Sequence, residues 1–145
     1  MVRHLCRVLV VLAAALAAGC APKVSMDPPS PDGPRIANLE PRPSSVGAGC
    51  PLSLAFAFDA GGDEIVRAVS GWSQSLGRRG YVGRAILEVP PETFAGHARG
   101  EAVARIIPPR AGRYSYYVQV EDRAGRKSNV LETVVSVGGW WASGC

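Results

Sequence analysis

Residues 112–137 read GRYSYYVQVEDRAGRKSNVLETVVSV, and this stretch decides the fold. Tyr114, Tyr116, Val118 and Val120 alternate with Ser115, Tyr117, Gln119 and Glu121, the two-residue period of a strand that buries one face. Asp122 to Gly125 supplies turn residues. Val130 to Val137 then returns rich in β-branched side chains, which fit a pleated, half-buried surface. Two such runs joined by a short polar loop predict an antiparallel hairpin.

Working outward, Leu52 to Asp59 repeats the pattern, with Leu52, Leu54, Phe56 and Phe58 set against Ser53, Ala55, Ala57 and Asp59. Gly61 and Gly62 turn the chain into a weaker run, Ile65 to Trp72, where β-branched residues favour strand over a helix at Asp63 to Ser70. The polar SQSLGRRG of residues 73–80 reads as a loop before a strand at Tyr81 to Val89. Pro90 and Pro91 break the chain, residues 92–100 read as a loop or short helical turn, and Ala102 to Ile107 is extended again. Ahead of all these, Ile36 and Leu39 offer an edge strand stopped by Pro41 and Pro43. The sum is an all-β, antiparallel sandwich of about seven strands filling residues 35–145.

The hairpin also resembles immunoglobulin-like and fibronectin type III-like domains. In those families the sixth strand often reads G-x-Y-x-V/C-x-V and is followed by D-x-x-G-x-x-S-N; the matching residues are Gly112, Tyr114, Tyr116 and Val118, then Asp122, Gly125, Ser128 and Asn129. The resemblance implies that Tyr114 is the tyrosine-corner residue and Trp72 the core aromatic of the third strand. Arg110 stands where variable domains usually have Asp, and Tyr116 replaces the second cysteine of the inter-sheet pair.

At the other end of the chain Arg3, His4 and Arg7 precede an apolar run, Val8 to Ala18, too short to cross a bilayer core of about 30 Å as a helix. Leu16, Ala17, Ala18, Gly19 and Cys20 follow in the order of a bacterial lipoprotein signal, which this segment resembles. That resemblance implies a leader of residues 1–19, a lipidated Cys20 and anchorage in the cell envelope. By analogy with enterobacterial sorting, Ala21 suggests the outer membrane, facing the periplasm. Residues 20–34 are rich in proline and poor in aromatics, so they read as a semi-extended linker able to hold the domain up to roughly 40 Å from the lipid.

Of 16 basic residues, Arg3 and Arg7 leave with the leader, which sets 14 against 12 acidic ones and a net charge of about +2. So small an excess argues against nucleic acid as a partner. Cys6 lies in the leader and Cys20 in the anchor, so Cys50 and Cys145 remain as a candidate disulfide in an oxidising compartment. The topology that the immunoglobulin-like resemblance implies favours the pair: it puts Cys50, just before the second strand, at the end of the sandwich where the last strand emerges, and the tail can span a sandwich about 10 Å thick. Free or intermolecular thiols are the other reading.

No constellation of side chains spells out a reaction. His97 is the only histidine after the leader, so a Ser nucleophile activated by His, or a His and Cys metal site, lacks partners. The neighbouring acids Asp63 and Glu64, and Glu121 and Asp122, point to opposite faces of a strand and cannot flank one bond. Asp59, Asp63 and Glu64 around two glycines are weak Ca²⁺ candidates. Arg78, Arg79, Arg110 and Arg113, with Trp140 and Trp141, form a candidate binding patch at the end expected to lie away from the anchor. No cofactor is implied. The sequence leads to a non-catalytic protein-binding or assembly module of the envelope, with an envelope glycan or Ca²⁺ as the alternative ligand.

Overall fold

The computed structural model describes residues 24–76, 79–139 and Cys145. Eight strands follow in order: β1 (Arg35–Arg42), β2 (Ser45–Gly47), β3 (Leu52–Asp59), β4 (Ile65–Leu76), β5 (Arg79–Leu87), β6 (Arg99–Ile106), β7 (Gly112–Asp122) and β8 (Leu131–Gly138). A single 3-10 turn, Pro91–Thr93, interrupts the stretch between β5 and β6. No helix among the described residues is long and apolar enough to cross a membrane.

The strands form two layers, a three-stranded sheet in the order β1-β3-β6 and a five-stranded sheet in the order β2-β8-β7-β4-β5. All pairs are antiparallel except β2 with β8, where Ser45 to Gly47 run parallel to Ser136 to Gly138. The first strand therefore changes sheets. Its first part pairs with β3, and after the cis Arg42–Pro43 bond its second part joins the opposite layer. This arrangement is an immunoglobulin-like sandwich. The sheet change is also why there are eight strands where about seven were expected: Pro41 and Pro43 divide the first strand without ending it, since an edge tolerates their missing N–H groups.

The inward faces are those the alternation predicts. Leu52, Leu54, Phe56 and Phe58 of β3 are buried with Tyr114, Tyr116, Val118 and Val120 of β7 and with Val135 and Val137 of β8. Side chains of this size contribute about 1.5–3 kcal/mol each when fully buried, which makes the layer contact the main source of stability. Tyr114 is 2% exposed, and its hydroxyl donates to the carbonyl of Arg110 at 3.1 Å, the tyrosine corner that the resemblance implied.

The β7–β8 connection is built by its own motif. Gly125 turns at φ +81°. The Asp122 carboxylate accepts from the Arg126 backbone N–H at 2.8 Å and from Arg126 Nε at 2.7 Å. Asn129 reaches across to β1, where its Oδ1 accepts from the Ile36 N–H and its Nδ2 donates to the Ile36 carbonyl, both at 2.9 Å.

Three expectations are corrected. Residues 73–76 and 79–80 are strand and not loop: β4 runs on to Leu76 and pairs antiparallel with a β5 that starts at Arg79. Its polar residues are compatible with strand because the ladder is made by backbone groups. Second, Trp72 is half-buried rather than central. Third, the part of the linker described here does not stand free. Val24 and Met26 lie over Gly71, where a β-carbon would come within 2.4 Å of Val24 Cγ1. Gln119 Nε2 donates to the Asp27 carbonyl at 2.9 Å, and the Ser30 N–H donates to the Lys127 carbonyl at 2.9 Å. The bare Cα of Gly71 and the buried Gln119 amide on the outer face of the five-stranded sheet give an otherwise core-less segment something to dock on.

Candidate functional site

The two long sides of the sandwich differ. On one, the strand change of β1 and β2 carries the chain from layer to layer. On the other, β5 and β6 end their sheets without a further strand paired to them among the described residues, and residues 88–98 pass between them with only the short turn at Pro91–Thr93. This seam is open. A cleft of about 470 Å³ enters it between Trp72, Leu87, Arg105, Ile106, Tyr114 and Tyr116. A second, of about 630 Å³, continues toward the opposite end past Ala68, Leu87, Val89 and Phe94.

Aromatic packing gives the first cleft its back wall. Tyr114 and Tyr116, two residues apart on one face of β7, stack at 5.6 Å with 7° between their planes. Trp72 lies 6.1 Å from Tyr114. Burial pushes both phenols above the ordinary tyrosine range, so they stay neutral, and the wall is chiefly apolar. Such a cleft can take up apolar or aromatic surface. Among the described residues its charged lining groups are Glu88 and Arg105, which form no ion pair with each other.

The rim of the seam is β5, a nine-residue edge strand without proline. Val82 and Ile86 lie on its outer face with 48% and 67% exposure, and Tyr81 is exposed near its start, under the Arg110 guanidinium at 6.0 Å. Natural edges are usually blunted by proline, charge or brevity; this one carries Arg79 and Arg84 but is otherwise long and apolar. Sequence reasoning read the strand without seeing it as an edge. The signal was present as apolar residues on the solvent side of a glycine-rich strand.

The residues singled out from the sequence are placed as follows. Cys50 and Cys145 form a disulfide, with Cα atoms 5.4 Å apart, closing a separation of 95 residues. Arg110 and Arg113 are exposed at one end of the sandwich, and Arg79 begins β5 at that end. Cys20, Arg78, Trp140 and Trp141 lie outside the described residues.

The Ca²⁺ candidates are not assembled as a cation site. Asp59 accepts from Arg99 Nε at 2.8 Å and from the Gly61 N–H at 3.0 Å. The Gly61 bond, with Arg99 beside it, holds this carboxyl below the usual aspartate range. Asp63 accepts from the Glu64 N–H at 2.8 Å and faces Arg126 at 3.9 Å, while Glu64 is paired with Arg123. Each of the three carboxylates faces an arginine, and no group of three or more His, Cys, Asp or Glu positioned for a metal occurs among the described residues.

No family model matches the sequence, and a search of curated proteins finds no match. Among solved structures, the chain is similar to the alkylpurine DNA glycosylase AlkC of Pseudomonas fluorescens, at 16% identity and TM-score 0.47, over 72% of this chain. It spans only 30% of that protein's length. It is also similar to a PKD domain of an M14-like peptidase from a Thermoplasmatales archaeon, at 10% identity, TM-score 0.41, and 73% and 93% of the two chains. A third likeness is to a PapD-like domain of human CEP192, at 17% identity, TM-score 0.40, and 85% and 95% coverage. The sandwich assignment itself rests on the strand order and pairing.

Proposed function

We propose that this chain is a lipid-anchored module of the bacterial cell envelope, held through Cys20 in the outer membrane and facing the periplasm, which binds an extended segment of another envelope protein and carries out no catalysis. The observation that carries the reading is the unpaired edge of β5, with Val82 and Ile86 exposed beside it. A strand added there satisfies the edge's free N–H and C=O groups and covers apolar side chains at alternate positions, which is how strand addition gives both affinity and register. The seam behind the edge offers room for a side chain of the incoming segment.

The test is a photo-crosslinking amino acid placed at Val82 or, as a control on a different strand, at Val134, in cells making the full chain. A discrete adduct from position 82, missing from position 134 and lost on Ile86→Lys, supports the reading. Equal labelling from both positions counts against it. A second reading, a glycan in the seam, is favoured by the half-buried Trp72 at the cleft wall, since aromatic faces suit sugar rings. A glycan that protects Trp72 from oxidation would shift the assignment to it.

A further inference from the structure

We infer that the end of the sandwich carrying Arg105, Arg110 and Arg113 rests against an anionic lipid bilayer, so that the anchor holds this end down instead of holding it away. The inference rests on the lipid-anchor reading above and adds to it an orientation and a second membrane contact.

Two observations meet here. The first is the path of the N-terminal segment. Ser30 is bonded at Lys127, beside the β7–β8 loop, and Asp27 lies at Gln119 within β7. Val24 and Met26 then reach Gly71, half-way along β4. Followed back toward Cys20, the chain climbs the outer face of the five-stranded sheet, away from the end where β1 begins. Cys20 is four residues ahead of Val24 and therefore within about 14 Å of it. The far end of β4, at Ser75, is four residues past Gly71, or about 13 Å at strand rise. That length of chain is enough for a lipid on Cys20 to reach the β4–β5 end, and too short to bring Cys20 to the opposite end of β4 at Ile65, about 20 Å from Gly71 at strand rise.

The second observation is the division of charge. The β7–β8 end holds Asp59, Asp63, Glu64 and Asp122, each facing an arginine. At the β4–β5 end Arg105, Arg110 and Arg113 are exposed, and among the described residues they take part in no ion pair; Glu88 lines the same cleft as Arg105 without an ion pair among the described residues, and Glu40 and Glu101 are both paired with Arg42. Beside Arg110 in the same loop, Ile107 is 58% exposed. Unpaired guanidinium groups around an exposed aliphatic side chain fit a headgroup layer, where phosphates meet the charges and the apolar tip enters the acyl boundary. A charged surface within a Debye length of about 8 Å would orient the domain.

The lipidated full chain is purified from membranes, and its N-terminal peptide is weighed to establish the lipid on Cys20. It is then reconstituted into phosphatidylcholine vesicles with and without phosphatidylglycerol, bearing a fluorophore on Ser75→Cys or on Ala95→Cys at the opposite end. Headgroup-quencher lipid should quench the label at 75 several-fold more than the label at 95. The contrast should grow with phosphatidylglycerol and shrink in high salt and in Arg110→Glu/Arg113→Glu. A lipidated protein with equal quenching at both positions, or more at 95, overturns the orientation and leaves the anchor standing. An unlipidated Cys20 overturns the anchor and the orientation together. A label at 75 that lipid leaves alone and an anionic envelope polysaccharide protects assigns the basic end to the polymer and also overturns the proposal.

Discussion

Gly83 lies directly against the indole of Trp72, so close that a β-carbon on it would stand 2.5 Å from the Cε2 and Cζ2 atoms of the ring. The two residues are register partners across β4 and β5, and the missing side chain of one makes room for the other.

Gly83→Ala is therefore expected to destabilise the domain by about 1–3 kcal/mol, the usual cost of overpacking, although alanine otherwise suits a strand better than glycine. Tryptophan emission should shift as the ring is pushed toward solvent. Urea unfolding followed by fluorescence reads both effects. An unchanged midpoint would mean that Trp72 moves freely in the seam.

Tyr114→Phe should lower stability by about 1 kcal/mol, the net worth of one hydrogen bond, since the ring can still stack on Tyr116. The acceptor is the backbone carbonyl of Arg110, so Arg110→Ala should leave the corner intact. Paired urea melts of the two variants separate the hydroxyl from the arginine side chain.

Cys50→Ser opens a loop of 95 residues and should cost roughly 4–5 kcal/mol in the chain-entropy model. That is a large share of the stability of a domain this size, which is of order 5–15 kcal/mol. Unfolding of the parent with and without reductant should reproduce the difference. Non-reducing peptide mapping should recover the Cys50 peptide joined to the Cys145 peptide.

Hydrogen bonds from Lys127 and Arg67 hold the Glu121 carboxyl below its ordinary value of 4.5. Because the folded state lowers this pKa, the stabilisation is fully present above the unfolded value and is lost as pH falls through the folded one. Stability should thus be flat near neutrality and decline below about pH 4.5, with a shallower decline in Glu121→Gln. A urea midpoint series across that range checks the sign.

The strands that alternate were legible in the sequence because burial on one face leaves a period of two, as in β3 and β7. The corner at Tyr114 and the Cys50–Cys145 bridge were legible too, one through a motif and the other through strand direction. Three features left no such trace. The β4–β5 ladder extends through Ser73, Gln74 and Ser75 because backbone pairing asks nothing apolar of them. Trp72 reads as a core aromatic, yet whether a strand covers it depends on what residues 88–98 do, and proline there gives no direction. The docking of Val24 and Met26 depends on the bare surface at Gly71, some 45 residues away in sequence, and local composition says nothing of it.

The two ends of the chain are fastened by different means, and this gives the domain a mechanical polarity. The C-terminal end is held by a covalent bond to Cys50, whereas the segment from Val24 to Pro34 is laid on the sheet by contacts arranged one after another along its length. A pull on the N-terminal side loads those contacts singly, first Val24 and Met26, then Asp27, then Ser30, so the segment peels at low force while the sandwich stays whole. About eleven residues paid out at about 3.3 Å each would lengthen the tether by roughly 35 Å. The docked segment is thus a built-in length of slack, released by tension and taken up again when the load is removed.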